Sequence, residues 1–210
     1  MRPIKQGPFT PAVASTTAFN AQGFTSTGAA TAPTTTSTSD GLAHHVTLTS
    51  PSQASLAGIN FTIIGTDADD HDVSEIIAGP ASASTVTTTK WFKTITTIQP
   101  SATMGALTLA VGIAVTALTP TIPLTNSPAA AGMTVAVTGT INYTMYETFT
   151  NVYEHAVGSV STQITALASK TANTSGNASV SATGVLLLVN SVSAGATVTI
   201  WLNQNSAGMA

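Results

Sequence analysis

Ionised side chains are the scarcest resource of this chain. Asp, Glu, Lys and Arg make up 6% of its 210 residues, against about 25% in an ordinary soluble domain. A protein that stays dissolved alone relies on a charged surface. A chain without one is expected to hide much of its surface in copies of itself or in a larger shell. Basic residues number five, Arg2, Lys5, Lys90, Lys93 and Lys170, and are scattered. That excludes the clustered footprint needed to neutralise nucleic-acid phosphates and the polybasic anchor needed at an anionic membrane. Cysteine is absent, which excludes disulfides and thiolate metal sites. Aromatics are few, at 5%. The longest apolar stretch, Met104 to Leu118, is interrupted by Gly and Thr and is shorter than the ~20 residues of a membrane helix. The opening residues, MRPIKQGP, lack the apolar core of a secretory signal. Assembly without export is therefore expected.

Threonine fills the space, with 40 residues. Thr, Val and Ile are β-branched and pack well on a pleated surface. The expected fold is all-β, with one or two antiparallel β-sandwich or barrel domains and an extended N-terminal arm. The arm spans 1–40, with Pro3, Pro8, Pro11 and Pro33 and a low-complexity run from Thr25 to Ser39. Phe9, Phe19 and Phe24 are spaced along it. A solvated linker has little use for aromatics, whereas an arm draped over a neighbour gains contact area from them. These three are the candidate interface residues. The alternative is that the segment supplies a first strand or two of the domain itself.

From 41 to 118 the chain reads as a β domain. Val46 and Leu48 alternate with polar residues, as do Ile59, Phe61 and Ile63, the period of a half-buried strand. A polar turn from Asp67 to Asp72 followed by VSEII predicts a hairpin. TVTTT and WFKTITTI follow, closed by Pro100, and LTLAV continues. Turn signals about every ten residues suit a sandwich or barrel. Pro120, Pro123 and Pro128 mark a linker over 119–131. A second β domain or sheet is expected over 132–210. Its parts are a strand from Met133 to Tyr143 with a kink or bulge at Gly139, a turn at 173–177, a doubly buried strand at Val185–Val189, and a last strand at Ala196–Leu202.

Chemistry-bearing motifs are sparse. Asp67, Asp69, Asp70, Asp72 and Glu75 fall in TDADDHDVSE. Clustered carboxylates suit Ca²⁺, and Asp67, Asp69, Asp70 and Asp72 are the candidate ligands. The EF-hand spacing fails, because its sixth-position Gly is missing and Ala78 replaces its final Glu. Asp also stabilises hairpin tips through its own backbone bonds, and the turn is the preferred reading. His44 and His45 are adjacent in a strand and point to opposite faces, which argues against a shared metal. Nucleophile elbows, phosphate loops and dinucleotide fingerprints are lacking. No cofactor and no enzymatic activity are expected. Trp91, Phe92 and Trp201 are read as core anchors, and an exposed aromatic would instead point to a carbohydrate-binding adhesin module.

The stretch INFTIIGTDADDHDVSEIIAGPASASTVTTTKWFKTITTIQPSATMGALTLAVG resembles a recurrent segment of uncharacterised tailed-bacteriophage virion proteins. The matching residues are Gly65, Thr66, Asp67, Ser74, Glu75, Gly79, Pro80, Phe92, Lys93 and Thr94. The later VTGTINYTMYETF is similar to the second half of such proteins. The resemblance covers about half the chain and is a texture of strands and turns. DADDHD departs from it, where a Gly-containing turn is usual. It implies a virion component with no active residues to carry over. The expected function is a head decoration or cement protein, with tail, neck or fibre component as the alternative. Expected partners are the major capsid protein and further copies of the chain, a trimer being suggested by the ring and lattice symmetry of particles. Neither nucleic acid nor membrane is expected as a partner.

Overall fold

A computed structural model describes residues 3–19, 22–23, 33, 35–50, 55–104, 108–124, 131–149, 161–179 and 181–204. These form fifteen strands and a single 3-10 turn: β1 (Ile4–Phe9), β2 (Gln22–Gly23), β3 (Ala43–Thr49), β4 (Asn60–Thr66), β5 (Asp72–Ala78), β6 (Thr85–Phe92), β7 (Thr94–Pro100), β8 (Thr108–Leu118), β9 (Ile122–Pro123), β10 (Ala131–Thr138), β11 (Ile141–Thr148), β12 (Ser161–Gln163), the turn Thr165–Leu167, β13 (Thr174–Asn177), β14 (Gly184–Val192) and β15 (Thr197–Gln204). The protein is all-β, in antiparallel sheets of the sandwich or barrel kind. Among the described residues no helix is long and apolar enough to cross a membrane.

The chain divides into two compact units, a continuous one over 14–115 and a split one made of 1–13 and 116–210. In the continuous unit β4 is the middle strand of an antiparallel sheet ordered β5-β4-β7. The predicted hairpin is β4 and β5, in register from Asn60↔Ala78 to Thr66↔Asp72. Phe61 and Ile63 are fully buried, as are Ile95 and Ile98 on β7. β3 pairs with β6. The two strands on either side of Lys93 join different sheets, since β6 pairs with β3 and β7 pairs with β4. Glycine permits the close approaches. A Cβ on Gly65 would collide with the Thr94 carbonyl, and one on Gly112 with the Ser15 carbonyl.

In the split unit a four-stranded sheet is ordered β1-β15-β10-β13. β15 alternates as its sequence predicts, with Val198, Ile200 and Leu202 buried and Thr199, Trp201 and Asn203 turned outward. β11 pairs with β12 and β14. The apolar run of β14 is buried at Val185, Leu186, Leu187 and Val189, as a strand covered on both faces must be. Two layers with buried apolar faces give the unit a sandwich-type core.

Several expectations change. Gly139 is not a kink within one strand. It adopts φ 75, a conformation open to glycine, and there the chain leaves β10 for β11 in the other layer. Residues 173–177, expected as a turn, contain β13, which pairs with β10 from Gly132↔Asn177 to Val135↔Thr174. The 119–131 segment contributes β9, paired with Gly184 and Val185. The described parts of the expected arm are bonded into their own chain. β1 pairs with β15, Ser15 bridges Ile113, and the Phe19 and Thr38 amides donate to Val111 and Lys93 carbonyls. This is the alternative in which the segment supplies the domain's first strands. Residues 24–32 lie outside the described set.

Candidate functional site

The acidic turn is organised by its own backbone. Asp67 Oδ1 accepts from the amides of Asp69 (2.8 Å) and His71 (3.0 Å). The Asp67 amide donates to the His71 carbonyl at 2.9 Å. Asp70 sits at φ 66, the left-handed region that Asp tolerates, and both its oxygens take the Lys93 ammonium, at 2.7 and 2.8 Å. Asp72 has moved out of the turn into the first position of β5. Of the four candidate ligands, Asp67 and Asp70 are thus engaged within the turn and by Lys93, and Asp72 lies on β5. Among the described residues no group of three or more His, Asp or Glu could hold a metal ion.

The fifth carboxylate of the stretch has a different task. Glu75 lies on the face of β5 that it shares with Val73 and Ile77. It accepts from the Thr89 amide (2.9 and 3.1 Å), the Thr89 hydroxyl (3.0 Å) and the Lys90 amide (2.8 Å). Lys90 returns a bond from Nζ to the Ser74 carbonyl at 2.7 Å. The acceptor is needed because β6 bulges there, with the β3 register shifting between His45 and Thr47. A bulge leaves ladder amides unpaired, and Glu75 gives those of Thr89 and Lys90 a charged acceptor. Thr88 completes the repair by accepting from the Val46 amide (2.8 Å) and donating to the Lys90 carbonyl (3.0 Å).

The adjacent histidines do face opposite ways. His44 is fully buried. Its Nδ1 lies 3.0 Å from the Ala114 carbonyl, which can only accept, and its Nε2 lies 2.9 Å from Asp40 Oδ2. Asp40 Oδ1 also accepts the Leu42 amide at 3.0 Å, so the pair ties the segment before β3 onto that strand and β8. His45 packs against Trp91, with ring centroids 3.7 Å apart and the planes tilted by 35°. Burial pushes its pKa below the usual 6.5, against a raising contribution from its bond to the Lys90 carbonyl.

Of the three candidate interface phenylalanines, Phe19 is removed by its burial, 0% exposed within its own chain. Phe9 is half-buried at the end of β1, opposite Val198. Phe24 lies outside the described residues. Among the expected anchors Phe92 is in the core and Trp91 is half-buried. Trp201 is corrected from core to surface, at 40% exposed. It falls on the outward phase of β15, and the Lys5 ammonium sits 5.0 Å from its ring centroid. Tyr143 is in the core, its hydroxyl donating to the Ala172 carbonyl at 3.0 Å. Burial raises its pKa above the usual phenolic value.

Threonine pairs were the feature that residue-by-residue reading missed. Hydroxyls meet across neighbouring strands at Thr49–Thr85 (2.8 Å), Thr66–Thr94 (2.7 Å) and Thr138–Thr197 (2.5 Å). Abundance of Thr was the available signal, but pairing needs the register. One outer face also carries exposed isoleucines. On β4 and β5, Ile76 is 69% and Ile64 39% exposed, with Thr62 opposite Ile76 and Ser74 opposite Ile64. Asp72 is the one charged residue of that face, at its rim.

No protein-family model matches the chain, and no curated protein or solved structure matches it.

Proposed function

We propose that the protein is a structural component of a bacteriophage particle, a head decoration or cement protein. It stabilises the capsid through contacts with the major capsid protein and with copies of itself, and it resides in the virion. The observation that carries this reading is the outer face of the β5-β4-β7 sheet, where two isoleucines stand exposed among hydroxyl and amide side chains. Exposed large apolar side chains are costly in water, and where they gather on one sheet face they mark a contact site. Of the carboxylates nearby, Glu75 is bonded to β6 and the exposed Asp70 to Lys93. The low overall charge points the same way. The mechanism is mechanical: burial of apolar area at about 25 cal/mol per Å², repeated over many symmetric contacts.

Quantitative mass spectrometry of purified particles tests the reading. Copies on the order of hundreds, as lattice symmetry demands of a head protein, are expected. A handful per particle moves the protein to the tail, neck or a fibre, and absence from particles overturns the proposal. Ile76→Asp should lower incorporation while leaving the melting temperature unchanged, because that side chain is mostly in solvent.

A further inference from the structure

The outward face of the split unit's four-stranded sheet carries a different set of groups. The register places Lys5, Trp201, Thr134 and Ser175 in one row across β1, β15, β10 and β13. At about 4.8 Å per strand gap the row spans roughly 14 Å. The row beside it runs Asn203, Gly132, Asn177. Gly132 has no side chain to fill the space between the two asparagines. An open hollow of about 330 Å³ results, lined by Gly132, Thr134, Ser175, Asn177 and Asn203 among others. That volume is at the lower end of ligand pockets, which run from about 300 Å³.

The side-chain amides of Asn177 and Asn203 make no hydrogen bond within the described residues, so each offers two donors and an acceptor to the hollow. Trp201 presents a partly exposed ring one position along the same face. Lys5 has no carboxylate partner among the described residues, and its cation rests on that ring. The nearest thing to a competing charge in this unit's described residues, Glu147, is buried and bonded to the Ser179 amide and hydroxyl. An aromatic plane, amides that read hydroxyl groups and a cation without a counter-ion describe one ligand chemistry.

We propose that this face binds a saccharide bearing a carboxylate, such as a uronic acid unit. The carboxylate draws the Lys5 ammonium off the indole, because a charge-assisted hydrogen bond is stronger than an exposed cation–π contact. The freed ring then packs against the apolar face of the sugar. Asn177 and Asn203 bond its hydroxyls over the floor made by Gly132. The site stands independently of the capsid reading, since a free subunit would carry it as well.

The test uses the full chain on immobilised oligogalacturonate and on the same oligomer with its carboxyl groups reduced to alcohols. Wild type should prefer the acidic form at least tenfold. Trp201→Ala should weaken binding to it at least tenfold. Lys5→Gln, at an exposed position that cannot unfold the sheet, should abolish the preference between the two oligomers, and Ile76→Ser in the other unit should change nothing. Equal binding of the reduced oligomer by wild type would overturn the carboxylate assignment. Failure to bind either oligomer, or binding by Trp201→Ala equal to wild type, would overturn the site.

Discussion

The two units share hydroxyl pairs across strands but differ in how many charged side chains join in holding the strands together. The continuous unit contains six of the eight acids, Asp40, Asp67, Asp69, Asp70, Asp72 and Glu75. Three of them are stitches: Asp40 to His44, Asp70 to Lys93, and Glu75 to the β6 bulge. The split unit is stitched mostly by neutral groups. Thr138 meets Thr197, the Thr119 hydroxyl accepts from the Leu187 amide at 3.0 Å, and Asn190 donates to Asn142 and Thr144. Its one described carboxylate, Glu147, is also internal. Several of the few charges in this protein also serve as ties between segments. Several of these groups remain at the surface, exposed Asp70 among them, while Glu147 is buried.

Breaking one stitch of each kind measures the contrast. The largest loss is expected for Asp40→Ala, which leaves buried His44 without its carboxylate. Removing one partner of a buried pair costs about 3 kcal/mol or more, read as a shift in the urea midpoint. Glu75→Ala should follow at about 2 kcal/mol, the scale of hydrogen bonds to a charged acceptor, with Thr89 and Lys90 amides gaining hydrogen exchange. Thr138→Val removes only a neutral pair near the surface and should cost about 1 kcal/mol or less. An equal loss for Thr138→Val and Asp40→Ala would erase the distinction between the units.

The smallest effect is a pH dependence in the continuous unit. Burial holds the His45 pKa below the usual 6.5. As pH falls through 6.5 the unfolded chain takes up a proton that the folded ring resists, so stability declines. Above that value neither state is charged there and the penalty vanishes. His45→Gln should flatten the melting temperature between pH 7 and about 5 relative to wild type. An unchanged slope would mean that the packed ring titrates as freely as an unfolded one.

Much of the fold was legible in the chain because alternation is a local signal. Val46 and Leu48, Phe61 and Ile63, and Val198, Ile200 and Leu202 all lie where a period of two placed them. The hairpin around Asp67 was equally readable, since Asp announces its turn by bonding its own backbone. Other features were not local. Whether Gly139 bends a strand or ends it depends on which layer receives Ile141. Whether residues 173–177 turn or pair depends on β10 lying alongside. Trp201 looked like an anchor because tryptophan usually is one, and only its phase on β15 turned it outward.

Sequence alone determined that this protein is made of strands, that it has no cysteine chemistry, and that few of its side chains ionise. Those follow from side-chain shape and ionisation, which each residue brings unaided. Tertiary structure decided what the rare charges do and which faces remain open. A carboxylate such as Glu75 finds its amides fourteen and fifteen positions away, and a glycine such as Gly132 becomes a floor only when Asn177 and Asn203 stand on either side. Register and sheet order set those meetings, and both are properties of the folded chain.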